Sequence, residues 1–313
     1  MNRKPFLCAG IAGLAFALGG CGGGGGGLAS IPAPPPTPTP APLLPTTLNV
    51  VAHALTGELA VAGATTSAPY ADPQPFANLT IERAGQPSFR YDSTTDVYEA
   101  KLPGGSWETL QSMYPENAAT TRTDAQADSG AEFHFGREWI SDSDLTYVYS
   151  TIASYFAPND VFGWLAVGVP TPSSGLPNDG SATFNGILAG QADYNVDDGW
   201  GGAYPTWVGG TVTLNFDFGT SRLSGSIDPT ISLDAYGATW ESLGEFTFKN
   251  GVYSAGAYSG QFNSPVSGLN GFYGQLTGPH GEELIGAWAL PFHYSRDDKD
   301  HQAMGAWVAK QTP

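Results

Sequence analysis

The chain reads as an all-β protein: a smaller β region followed by an antiparallel sandwich or closed barrel. Three observations lead there. Of 313 residues, 42 are Gly and 12% are Phe, Trp or Tyr, a mixture that suits tight turns between aromatic-rich strands. Eight or nine strand-like segments recur from about residue 145 to 310 at the spacing of a sandwich or barrel. The third is strict alternation. In "TVTLNFDFGTSRLSGSID", Val212, Leu214, Phe216 and Phe218 alternate with Thr213, Asn215 and Asp217, so one face is apolar and the other meets water.

The first 45 residues stand apart from that body. Arg3 and Lys4 precede a short apolar run from Pro5 to Leu18, the pattern of a secretory signal over residues 1–20. The run is too short to span a bilayer comfortably. Leu18-Gly19-Gly20-Cys21 resembles the bacterial lipobox, which makes Cys21 the expected site of lipidation, palmitate included, and the new N-terminus. Acyl chains contribute about 0.8 kcal/mol per buried methylene, so several hold a protein firmly to a membrane. Gly22 rather than Asp after the cysteine points to the outer membrane. Residues 21–45 form a tether. Six glycines act as a swivel, and "IPAPPPTPTPAPLLP" (Ile31–Pro45) is expected to be a polyproline rod about 45 Å long.

Composition narrows the function. Losing the signal removes Cys8, Arg3 and Lys4, so the net charge moves from -17 to -19 and Cys21 is the one cysteine left. Neither a disulfide nor a cysteine-ligated metal is available to the body, and stability rests on core burial. The acidic balance disfavours nucleic acid and anionic membrane surfaces.

Residues 46–144 form the first, weaker β region. "FRYDSTTDVYEAKLP" (Phe89–Pro103) reads as strand, polar turn, strand, and "AEFHFGREWI" supplies another strand through Phe133 and Phe135. "SWETLQSMY" reads as a short helix capped by Ser106, and Asn117–Gly130 as a polar loop. Residues 145–313 carry the stronger signal. After the hairpin turned by Gly219-Thr220-Ser221, "EFTFKNGVYSAG" leads through Phe246 and Phe248 to Asn250-Gly251, a type I′ turn pair. "TYVYSTIA", "FGWLAVGVP", "ATFNGILAGQADY", "GFYGQLTGP", "ELIGAWALPF" and "AMGAWVAK" complete eight or nine strands. Gly225, Gly286 and Gly305 suit the sharply coiled strands of a narrow barrel.

"ATFNGILAG" (Ala182–Gly190), "GTVTLNFDFGTSRLSGSI" (Gly210–Ile227), "GFYGQLTGPHGEELIGAWAL" (Gly271–Leu290) and "GAWVAK" (Gly305–Lys310) resemble, in that order, the β-barrel domain of the transferrin-binding protein B family of surface lipoproteins. Phe272-Tyr273-Gly274 and Glu283-Leu284-Ile285-Gly286 match a tyrosine-containing strand followed by a Glu-Leu-x-Gly-Gly segment, with Ala287 where a second glycine is common. The resemblance implies a soluble eight-stranded antiparallel barrel preceded by a smaller handle. It also implies a lipid-anchored, surface-exposed protein of the outer membrane. Such a protein binds a protein or an iron- or haem-bearing ligand, as an accessory to a nutrient-uptake receptor of the TonB-dependent kind. The chain has room for one handle-plus-barrel lobe, where full-length receptors of the family have two, and no position here matches their transferrin-contacting loops. The alternative is a structural or adhesive lipoprotein of the cell envelope.

Catalytic signatures are missing. The chain lacks G-x-S-x-G, H-E-x-x-H, a Walker loop and Cys-x-x-Cys. His53, His134, His280, His293 and His301 show no i, i+4 pair, and Asp197-Asp198 lacks the spacing of a calcium loop. His293 and His301 flank the charged segment "SRDDKD", where a haem or metal contact is conceivable but a solvated turn suffices. Glu282 and Glu283 are adjacent, so on a strand they face opposite ways and cannot serve one substrate as an acid–base pair. A non-enzymatic protein without cofactor or metal is expected. "GWGGAYPTWVGG" offers Trp200, Tyr204 and Trp207 as a candidate partner-binding loop, because aromatics on a glycine-rich loop can anchor a protein. The competing reading folds them back over the barrel end as a plug.

Overall fold

A computed structural model describes residues 50, 54–67, 76, 78–81, 86–113, 122–136, 147–158, 161–197, 203–234 and 237–312. Cys21, the tether, His53 and Trp200 lie outside these. No helix of the described residues is long and apolar enough to cross a membrane.

Ten strands build the first region: β1 (Gly57–Glu58), β2 (Ala60–Thr66), β3 (Ser88–Asp92), β4 (Val97–Lys101), β5 (Glu108–Thr109), β6 (Gln111–Ser112), β7 (Arg122–Gln126), β8 (Glu132–Gly136), β9 (Ser150–Ala157) and β10 (Val161–Gly168). They form a four-stranded sheet in the order β1-β3-β4-β5 and a six-stranded sheet in the order β2-β10-β9-β8-β7-β6. Nine more follow: β11 (Ser181–Asp197), β12 (Ala203–Asp217), β13 (Arg222–Ser232), β14 (Trp240–Ser242), β15 (Phe246–Ser254), β16 (Ala257–Phe262), β17 (Gly271–Thr277), β18 (Glu283–Tyr294) and β19 (Lys299–Gln311). Eight of these close a ring, β12-β11-β19-β18-β17-β16-β15-β13, through the β12–β13 pairing, and β14 extends β13 at one end. All pairings are antiparallel. The fold class is therefore the one expected from the sequence, a small β region and an eight-stranded antiparallel barrel.

Four local expectations change. Of the segment Ser106–Tyr114, expected to be a helix, the described residues 106–113 are not helical: Glu108–Thr109 pairs with β4 and Gln111–Ser112 with β7, while Leu110 between them is buried. Tertiary pairing overrides the capping signal. Within the expected loop Asn117–Gly130, residues Arg122–Gln126 form a strand against β8. Asn250-Gly251 is a bulge inside β15, with the register shifting between Lys249 and Val252, and the turn comes four residues later at Ala255 and Gly256 (φ 49° and 83°). Asn250 does take positive φ (56°), but Gly251 presses on β13, where an added Cβ would meet the Leu223 carbonyl at 2.1 Å. Finally, "TYVYSTIA" and "FGWLAVGVP", read as barrel segments, contribute β9 and β10 to the six-stranded sheet. Their periodicity showed that they are strands, but not which sheet receives them.

The β2-β10-β9 part of the six-stranded sheet is buried on both faces. On one side Phe89, Tyr98, Phe133, Phe135, Tyr155, Leu165 and Val167 form the core shared with the four-stranded sheet. On the other, Ala60, Ala62, Ala64, Ile152, Trp164 and Ala166 pack on the outer barrel wall, against Ile285, Ala287, Met304, Ala306 and Val308. Both periods of β18 and β19 are consequently apolar: Trp288 and Trp307 fill the lumen, and Ala287 and Ala306 meet the first region. Small residues on both surfaces let two sheets approach closely. At the edge of β2 away from β10, the Tyr273 hydroxyl accepts from Gly63 N (2.9 Å) and donates to Gly63 O (3.3 Å), and Thr80 bridges Thr65, capping groups that would otherwise invite another strand.

Candidate binding surfaces

The lumen is filled. Phe184, Leu214, Phe216, Phe262, Phe272, Trp288 and Trp307 are all at most 2% exposed and form one cluster. Within it the Tyr258 hydroxyl donates to Ile285 O (2.8 Å) and accepts from Trp307 Nε1 (2.7 Å), and Trp288 Nε1 donates to Ala306 O (3.3 Å), so the polar atoms of these three rings are satisfied. Burial pushes the Tyr258 phenol far up, which keeps it protonated. Space for this pair comes from glycine. A Cβ on Gly286 would stand 2.1 Å from Trp307 Nε1 and 2.6 Å from the Tyr258 hydroxyl, and one on Gly305 would stand 2.6 Å from Trp288. An eight-stranded barrel packed in this way leaves no lumenal site for a ligand.

One mouth of the barrel is closed by rings. Tyr194, Phe292, Tyr294 and His301 stack across it, with Tyr194–Tyr294 centroids 4.8 Å apart and Phe292–His301 centroids 5.7 Å apart. His301 Nδ1 lies 2.9 Å from Asp193 Oδ1, and Nε2 lies 3.0 Å from Asp297 Oδ2, which ties β11 to the β18–β19 turn. Burial raises the Asp193 carboxyl above its ordinary value, against the opposing hydrogen bonds from Gln302 N and His301. Tyr294 donates to Glu241 (3.2 Å), which also holds Arg296 (3.1 Å), and Gln302 donates to Leu269 O (2.9 Å). Among the described residues, side-chain bonds therefore tie the β18–β19 turn to β14 and β19, β19 to β11, and the β16–β17 loop to β19. His293 sits beside Asp300 (3.0 Å) and Asp298 (3.3 Å), and the Asp300 bond raises its pKa. Among the described residues no group of three or more His, Cys, Asp or Glu is placed to hold a metal ion.

The proposed aromatic loop is placed differently. Tyr204 and Trp207 lie within β12, and Trp200 falls outside the described residues. Trp207 is half-buried on the outer wall, edge-on to Trp164 of β10 at 6.0 Å between centroids. The long antiparallel pairing with β11 draws the tyrosine and tryptophan out of a loop and into a strand. The mouth-closing rings went unrecognised in the sequence, although Phe292 and Tyr294 continue the inward series Leu284, Gly286, Trp288, Leu290.

Glu283 has a role that adjacency to Glu282 did not suggest. It is 1% exposed and accepts from Val148 N (2.7 Å) and Tyr149 N (3.0 Å), fastening the chain entering β9 to the barrel. Burial raises its pKa, and those two bonds oppose the rise. Ser150 and Thr277 exchange a hydroxyl bond beside it (2.7 Å). Glu282, facing the other way, accepts from His280 N. A groove of about 270 Å³ runs between Val61 of β2 and the barrel residues Val252 and Tyr273.

No family model matches the chain, and no curated protein matches it. Solved structures do align. Transferrin binding protein B from serogroup B Neisseria meningitidis aligns at 14% identity and TM-score 0.42, over 81% of this chain and 44% of that one. The protein of the same name from Haemophilus parasuis gives 15% and 0.40, again over 45% of its length. This chain thus spans less than half the length of those two. The haemoglobin receptor HpuA from Kingella denitrificans gives 12% and 0.41, over 86% of this chain and 91% of that one.

Proposed function

We propose that this chain is an outer-membrane surface lipoprotein, anchored through Cys21, that captures a protein partner outside the barrel lumen. The filled lumen carries this reading: with Trp288, Trp307 and Phe272 occupying the interior, any ligand must be met on loops or walls. The cross-braced loop end supports it, because loops fixed before encounter lose less entropy on binding. The signal, lipobox and stalk of the sequence supply the anchor and the outward reach. An iron- or haem-bearing protein is the partner class that the sequence resemblance supports, with delivery to a TonB-dependent receptor.

The test uses the lipidated full-length chain in detergent. Iron-loaded transferrin, haemoglobin and free haem are titrated against it, and iron-limited growth of a gene deletion is measured in parallel. Binding of one iron-bearing protein together with slowed growth is expected. Failure to bind any of the three, with unchanged growth, overturns acquisition and favours the structural or adhesive reading. A Cys21→Ser variant should leave the membrane fraction; its retention there would refute the anchor.

A further inference from the structure

Part of the outer barrel wall lies beyond the region covered by β2, β9 and β10, and its chemistry is unusual for so acidic a chain. On β11, β12 and β13 the outward side chains between Ser181 and Asn185, Thr211 and Asn215, and Ser224 and Thr230 are hydroxyls and amides. Asp228 is the single charge among them. These positions are half-buried or exposed. Adjacent strands pair them in register. Thr183 donates to Asn215 Oδ1 (2.8 Å), and one step along Thr213 donates to Asn185 Oδ1 (3.0 Å). Each bond occupies the amide oxygen and so fixes the amide with its NH2 as the remaining donor group. The result is an ordered array of donors and acceptors in which Asp228 is the one charge.

An exposed tryptophan stands at the end of that array. Trp240 is 41% exposed, and its indole Nε1 already donates to Gly237 O (2.8 Å). With its one donor used, what it offers to solvent is ring surface. The ring is seated on the wall itself: the Cβ position of Gly209 on β12 lies 3.5 Å from it, and Thr230, paired with Gly209, flanks the seat. Holding a large apolar ring in water beside an uncharged hydroxyl and amide array fits one class of partner well. A neutral sugar presents an apolar C–H face for stacking and a belt of hydroxyls that both donate and accept. Within this patch an anionic glycan finds no cation and a cationic protein finds Asp228 alone; the nearest other charges are Asp217 and Arg222, paired at its far end, and Lys310, opposite Asn185 on β19.

We infer that the β11–β13 outer wall, ending at Trp240, is a binding surface for an uncharged oligosaccharide chain. This strand surface meets the loop end invoked above only at Trp240, the neighbour of Glu241, and it calls for a different partner, so either reading can fail without the other.

The experiment applies the full-length lipidated chain in detergent to an array of mannose-, glucose- and galactose-based oligosaccharides, with sialylated and sulfated ones as controls. Retention of neutral members is expected, and Trp240→Ala should weaken it about tenfold, the loss typical of truncating one central interface aromatic. Trp240→Phe, which keeps a flat ring, should preserve most of the binding, whereas Thr211→Glu, which charges the wall without touching the seat of Trp240, should abolish it. Circular dichroism checks that each variant folds. No retention of neutral sugars, equal retention of sulfated ones, or full binding by Thr211→Glu would overturn the assignment.

Discussion

Replacing Glu283 by Ala tests how the first region is fastened to the barrel. The carboxylate is 1% exposed and accepts two backbone N–H groups, from Val148 and Tyr149. Alanine leaves both donors without their acceptor, at about 1–3 kcal/mol each. Relief of the buried charge works against this loss, since burial raises the Glu283 pKa despite those bonds. We therefore expect a net destabilisation of about 2–4 kcal/mol at pH 7, below the sum of the two bonds at their strongest. In thermal unfolding this corresponds to a fall in Tm of roughly 4–16 °C for a body of this size. Urea unfolding followed by tryptophan fluorescence reads it directly, because Trp164 lies at the seam and Trp288 and Trp307 lie in the lumen. The pH dependence carries a sign. A carboxyl with a raised folded pKa is bound by a proton more readily in the folded chain than in the unfolded one. Its contribution is then most favourable below the ordinary Glu value, and it declines as pH rises through the raised one. Glu283→Gln, which cannot titrate, should remove that segment of the stability profile. A Glu283→Ala variant within about 0.5 kcal/mol of the parent at pH 7, the range of an ordinary surface change, would refute the fastening role.

Other consequences are as direct. Gly286→Ala forces a methyl against Trp307 Nε1 and the Tyr258 hydroxyl and should cost about 1–3 kcal/mol or more by overpacking, measured by chemical unfolding; an unchanged midpoint would mean that the lumen is looser than these distances imply. Tyr258→Phe strands Trp307 Nε1 inside the core and removes one donor from Ile285 O, for an expected loss of about 1–3 kcal/mol with little change in shape. His293 owes its raised pKa chiefly to Asp300, so Asp300→Asn should move its titration, followed by ring-proton NMR, back toward the ordinary histidine range; identical titrations would contradict the pairing. Stabilisation from that pair is present below the ordinary His value and is lost as pH rises through the raised one.

Closure of the C-terminal part into a ring was implied by the family resemblance alone, but the sequence by itself determined the all-β class, the antiparallel strands of that part and the glycines that suit a narrow lumen. Those are properties of period-two alternation and of side-chain volume, which a linear string records. Val212, Leu214 and Phe216 could be assigned inward, and Thr213 and Asn215 outward, without coordinates. Tertiary structure alone decided which sheet received each strand. β9 and β10 have the same alternation as barrel strands, yet they pair with β2 and β8, because two apolar faces can be buried against either layer. It also decided that Glu108–Ser112 extends rather than coils, that Asn250-Gly251 bulges rather than turns, and that Tyr204 and Trp207 belong to a strand. Each of these outcomes depends on a partner distant in sequence. The same holds for Glu283, whose acceptor role needs Val148 and Tyr149 brought from more than a hundred residues away, and for Trp240, whose seat exists only once Gly209 and Thr230 are side by side.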